Sequence, residues 1–267
     1  MLTNRAHLRY LVAAVIFWLA ALAGAEEIWL GLFLGKDKLG YSYYNTTFRP
    51  GGSVPLKRVS KTVLQGKMLG QELSVLMDSE TTFGDAGALA KQTFHMSSGG
   101  REMDVTAVFT AQTVEVETFE SGTKKKKSLP IPPGQVVKDD PTADLIEGAS
   151  TSSVCYVFDP QTISLVKTTI TRKPDESIET AAGKVTAKVV MVDDPRAPTK
   201  MFLTTKGDLI KAEAPFGLEM RPVTKAEALD STGDKADIAD ASTIPIDGDL
   251  EGWESAKRLV FSFDGPQ

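Results

Sequence analysis

Cys155 and His95 are the residues best suited by type to form a nucleophile and its base, since each is alone of its kind beyond the first 25 positions. A thiol attacks as the thiolate and needs electropositive surroundings to become one. Cys155 lies instead in Ser153-Val154-Cys155-Tyr156-Val157-Phe158, an apolar strand-like run that suits a buried, inert thiol. A lone Cys forms no intramolecular disulfide, and with a lone His it leaves any transition-metal site to carboxylates. The paired carboxylates Asp139-Asp140 and Asp193-Asp194 are adjacent in sequence, so on a strand they point to opposite faces, and Pro141 and Pro195 mark both as turn residues. These patterns assign no catalytic residue, no cofactor and no metal ligand, and the expectation is a protein that is not an enzyme.

Binding chemistry has more material. Trp29, Phe33, Tyr43, Phe109 and Phe158 could line a pocket for a hydrophobic ligand, or could be ordinary core residues, which any apolar strand face requires. Lys124, Lys125, Lys126 and Lys127 form the one basic run, with Ser121-Gly122 before it and Pro130, Pro132 and Pro133 after it. That context suggests an exposed turn or strand end, where lysines guard an edge against aggregation; contact with anionic lipid or a partner is the alternative.

Elements of a particular kind must position these residues. The chain has 267 residues, 42% of them hydrophobic and 24% charged, which suits one folded unit and excludes wholesale disorder or a polytopic membrane protein. Its start is distinct: Arg5 and Arg9 precede an apolar run over 11–22, and Ala23-Gly24-Ala25 has small residues where a signal peptidase cuts. The run is shorter than the ~20 residues that span a bilayer, so a cleaved secretory signal over 1–25 is expected, with a periplasmic or extracellular destination. Contact with the membrane would end with that cleavage. The remainder carries 28 basic and 35 acidic residues, of which 4 and 10 fall in 224–267, giving a nearly neutral body and an acidic tail. Nucleic acid calls for clustered excess Lys and Arg, so it is not an expected partner.

Alternation dominates the body. Residues 27–48 read as a hairpin turning at 35–40, followed by strands over 59–64 and 69–77 about a turn at 65–68. Strands follow over 91–97, 102–109 and 112–120, and 128–140 reads as a loop. A helical turn over 144–148 precedes strands at 154–158 and 163–172, a turn at 173–176, and strands at 177–180, 185–192, 200–205 and 209–214. Thr224-Lys225-Ala226-Glu227 has the form of a capping box and predicts a short helix to about Asp230. An acidic linker then leads to the alternating run at 258–263, which either returns to the sheet or opens a further domain. The expected fold is all-β or β-dominated α+β: a single antiparallel, strongly curved sheet or partly closed barrel of about 10 to 12 strands with one or two short helices. Its predicted divisions are a signal peptide (1–25), the antiparallel domain (26–223), and a tail of helix, linker and final strand (224–267).

The succession Leu32-Phe33-Leu34-Gly35-Lys36-Asp37-Lys38-Leu39-Gly40-Tyr41, Asp159-Pro160-Gln161-Thr162, Glu179-Thr180-Ala181-Ala182-Gly183-Lys184-Val185 and Thr204-Thr205-Lys206-Gly207-Asp208-Leu209-Ile210-Lys211 resembles the β-rich N-terminal region of bacterial exported transglutaminase-like proteins and related exported proteins of unknown function. Ala214-Pro215-Phe216-Gly217-Leu218-Glu219-Met220 followed by Lys225-Ala226-Glu227-Ala228-Leu229 is the most particular part. The resemblance spans about residues 27–260 and implies the curved β architecture, which is also similar to periplasmic lipoprotein carriers. In that family the catalytic Cys, His and Asp lie downstream, and neither Cys155 nor His95 matches them. Two functions remain in competition: an exported interaction or scaffold domain docking on an envelope protein, and a carrier for a lipid or other hydrophobic ligand. A third is an accessory domain of a transglutaminase-like protease without its catalytic core.

Overall fold

A computed structural model describes residues 27–231, 237 and 238, apart from 53, 143–149 and 181–182. The expected signal peptide, the helical turn at 144–148 and the run at 258–263 lie outside the described residues.

Among the described residues fourteen strands form one antiparallel sheet. The first eight run in chain order as a meander: β1 Glu27–Leu34, β2 Asp37–Phe48, β3 Pro55–Met68, β4 Gln71–Phe83, β5 Leu89–Ser98, β6 Arg101–Phe109, β7 Thr113–Glu120 and β8 Thr123–Pro130. The chain then crosses to the opposite side and meanders back through β9 Ser152–Asp159, β10 Ser164–Thr180, β11 Gly183–Asp193, β12 Thr199–Leu203, β13 Leu209–Ala214 and β14 Leu218–Pro222. β14 pairs with β1, Leu30 opposite Pro222 and Leu34 opposite Leu218, so the two meanders join at β1 and the sheet ends at β8 and β9.

Alternation decides which face is buried. Leu30 and Leu32 of β1 point inward with no exposed surface, as do Val114 on β7, Ile170 on β10 and Met220 on β14. Every strand contributes to the resulting core, and residues of β7 and β8 at one end of the sheet pack in the same cluster as Cys155, Val157 and Phe158 of β9 at the other. The sheet is therefore curled on itself, which lets one face be buried without a second layer. A smaller cluster, Phe202 with Ala187 and Val189, lies on the outer face beneath Ile178 and Ile210.

Local backbone demands explain several boundaries. The β3–β4 turn is Leu69-Gly70, both with positive φ (53° and 76°), the conformation that fits a two-residue turn to twisted strands. It falls just beyond the turn expected at 65–68, whose Gly66 is instead a buried strand residue. The expected turn at 173–176 is a β-bulge inside the 17-residue β10, which accommodates Pro174 without breaking the strand. The sheet exceeds the expected strand number because β8, hidden by its lysines, and the short β14 are full members.

The helix α1, Lys225–Leu229, starts where expected. Thr224 accepts from the Glu227 N–H at 3.2 Å, and the Glu227 carboxylate accepts from the Thr224 N–H at 2.7 Å. At its other end the Lys38 ammonium donates to the carbonyls of Glu227, Ala228 (2.6 Å) and Asp230 (2.7 Å), fastening α1 to β2. Beyond it, Asp237 accepts from the N–H groups of Leu69 and Gly70 at 2.9 and 2.6 Å, and Ile238 inserts into the core.

Candidate interaction surfaces and buried charge clusters

The five aromatic residues singled out in the sequence fall into two groups on opposite faces. Phe109 and Phe158 belong to the core and meet edge to face, ring centroids 5.8 Å apart. Trp29 stacks on Tyr43 and Tyr41 on the outer face, with centroid distances of 4.5 and 5.7 Å. Phe33, also on the outer face, lies under the Arg221 guanidinium at 4.0 Å, and Gly31 makes room for its ring: a Cβ there would stand 2.5 Å from Phe33 Cε2. A polar pocket lined by Tyr44, Arg58, Ser79 and Gln92, partly open to solvent, measures about 20 Å³, room for roughly one water molecule.

Cys155 and His95 are not brought together. Cys155 is 1% exposed in the core, whereas His95 faces outward from β5 with its Nδ1 2.8 Å from Asp104 Oδ1. Among the described residues no group of three or more His, Cys, Asp and Glu is placed to hold a metal ion.

The carboxylate pairs do different work. Asp139 forms an ion pair with Arg58, whose Nε donates to Thr46 Oγ1 at 3.1 Å. Asp140 accepts from both the N–H and the hydroxyl of Thr142 at 2.8 Å, closing an Asx turn. Burial outweighs those bonds and pushes the Asp140 carboxyl up to about 6; burial likewise pushes the nearby Tyr44 hydroxyl up.

Asp194, but not its neighbour Asp193, is buried, and it holds Arg196 through Nε to Oδ1 at 2.9 Å and Nη2 to Oδ2 at 2.5 Å. Arg196 Nη1 reaches Asp159 Oδ2 at 2.6 Å, and Asp159 also accepts from Thr162 Oγ1 at 2.6 Å. One guanidinium thus ties the β11–β12 turn to the β9–β10 turn. Asp159 and Asp194 are 35 positions apart, so only the register of β9 to β12 could have revealed their meeting.

Two outer surfaces stand out among the described residues. A groove of about 1260 Å³ has β13, β14 and β1 as its floor, with the end of β10 on one side and α1 and the β1–β2 turn on the other. Its floor charges are mutually paired: Lys211 with Glu213 at 2.6 Å, and Arg221 with Glu219 at 3.1 Å. The second surface is the seam between the sheet ends. Residues 136–138 cover part of the β9 edge, Tyr156 N–H donating to Val136 O at 3.0 Å and Lys138 N–H to Tyr156 O at 2.8 Å. β8 is the other edge, and the lysine run is a full edge strand there, with residues 123–128 all exposed. Across the seam, Lys127 Nζ donates to the carbonyl of Ile163 at 2.9 Å.

These features define a β-barrel-like protein built on one unclosed antiparallel sheet. A solved structure similar to it is the crystal structure of a β-barrel-like protein of a domain of unknown function, DUF1849, from Brucella abortus: TM-score 0.56 at 14% identity, covering 76% of this chain and 96% of that one. The likeness is one of fold and carries no link to transglutaminase-like proteins. No protein-family model matches the chain, and no curated protein does.

Proposed function

We propose that the chain is an exported, non-catalytic interaction domain of the cell envelope, which engages a protein partner through its outer surface. The observation that carries this reading is the packed core of the described residues: every strand contributes to it, Phe109 and Phe158 touch, and the polar pocket beside Tyr44 is about 20 Å³, against the ~300 Å³ or more of ordinary ligand pockets. Surfaces for recognition lie outside, at the β8 edge and in the groove. Export is supported by the two arginines, short apolar run and small residues of 1–25.

The groove favours a second reading, a binding module for a small ligand. Phe33, Ile178 and Ile210 offer it apolar contact, although its paired floor charges suit a purely hydrophobic ligand poorly.

In-cell photo-crosslinking from exposed β8 and groove positions tests the proposal. A defined envelope protein captured at one of these surfaces supports it; turnover of a substrate that survives purification to homogeneity overturns it.

A further inference from the structure

β8 is unlike the other sheet end. Part of the β9 edge is covered by residues 136–138, whereas among the described residues no strand pairs with β8 on its far side. Its backbone is a row of donors and acceptors able to accept another strand. Four consecutive lysines distribute over both faces of that edge. Lys124 and Lys126 share a single carboxylate, Glu117, at 2.6 and 3.7 Å. Lys127 spends its ammonium on the neutral carbonyl of Ile163, and Lys125 has no ion pair among the described residues. Among the described residues only two of the four cations therefore meet an acid, and they share one carboxylate, on a chain whose net charge is −5.

We propose that β8 is a docking edge for an extended acidic segment of a partner protein, which adds to the sheet as a further strand beside Lys124, Lys125, Lys126 and Lys127. This rests on the interaction reading and names its site and the partner's chemistry. Acidic side chains alternating along the added strand meet Lys125 and Lys127 on the inner face or Lys124 and Lys126 on the outer, and each opposed pair adds to the main-chain bonds. The same lysines repel a second β8 and other basic edges, so the feature that blocks self-association selects the partner. The positive strip is one strand wide on an acidic chain, which favours a single extended polypeptide over nucleic acid or a lipid surface.

The test uses the chain from Glu26 and a labelled short peptide of alternating Glu and Val, followed by fluorescence anisotropy at physiological salt. Saturable binding is expected, weakened about tenfold or more in Lys125→Glu/Lys127→Glu or in Lys124→Glu/Lys126→Glu, and lost when alternate peptide nitrogens are methylated. The corresponding Lys→Gln pairs, which keep an uncharged edge, should show an intermediate loss with unchanged melting. Absence of saturable binding, unchanged affinity in both charge-reversed variants, or equal binding of the methylated peptide overturns the proposal. Tighter binding of anionic vesicles or duplex DNA than of the peptide also overturns it, as does self-association in sedimentation that depends on the lysines. Crosslinking that captures an envelope partner from Lys211 in the groove and never from Lys125 would leave the interaction reading standing while this site falls.

Discussion

Phe109 of β6 and Phe158 of β9 meet edge to face at an interplanar angle of 83°, although their strands are far apart in the sheet order. An edge-to-face pair adds to simple area burial, and this one closes the interior between two walls that share no backbone hydrogen bond. Phe158→Ala should therefore cost about 3 to 5 kcal/mol in urea unfolding, the range for deleting a core aromatic. A loss well under 1 kcal/mol would mean that the walls are not packed at this point.

Asp140 predicts a pH dependence. Its carboxyl lies at about 6 in the folded chain against 3.8 for the ordinary group, so folding favours its protonated form. The stabilisation is complete below about pH 4 and is lost as pH rises through 6. Asp140→Asn should match the parent below pH 4 and exceed it at pH 7 by on the order of 2 kcal/mol, after allowance for partial exposure. Unfolding curves at four pH values read the difference. A constant offset between the two proteins would contradict it.

Arg196 is the hinge of a buried charge triad. Removing it leaves the Asp159 and Asp194 carboxylates, 5% and 1% exposed, without their counter-charge. Arg196→Ala should cost about 3 kcal/mol, and adding Asp159→Asn with Asp194→Asn should recover part of that loss, because an unpaired buried charge costs more than an absent one. Thermal melts of the single and triple variants separate this from lost packing, which no recovery would accompany.

α1 has five residues, too short to persist without its ends being held. Thr224→Ala should cost about 1 kcal/mol, and Lys38→Met should release the far end. In hydrogen exchange both variants should speed the amides of 226–230 while β3 and β4 keep their protection. Equal acceleration throughout the sheet would show that the helix instead supports the whole barrel.

Where side chains alone dictate the outcome, the fold was legible beforehand. The alternation of β4 and β6 and the Thr224 capping box both appear in the sequence, and each rests on local physics. β8 was obscured because Lys124 to Lys127 show no alternation, and an edge strand exposed on both sides needs none. The bulge in β10 imitated a turn because Pro174, Asp175 and Glu176 are turn formers by composition. The site was harder still. Trp29, Phe33 and Tyr43 are separated from Phe109 and Phe158 by the sheet itself, and the convergence of Arg196 on Asp159 depends on strand order, which no local pattern encodes.

A packed interior leaves recognition to the outer surface. Native mass spectrometry of the chain purified from Glu26, paired with organic-solvent extraction, distinguishes this from a carrier. The expected result is the bare polypeptide mass and no stoichiometric lipid in the extract. One lipid bound per chain, retained through purification, would contradict it and establish a carrier.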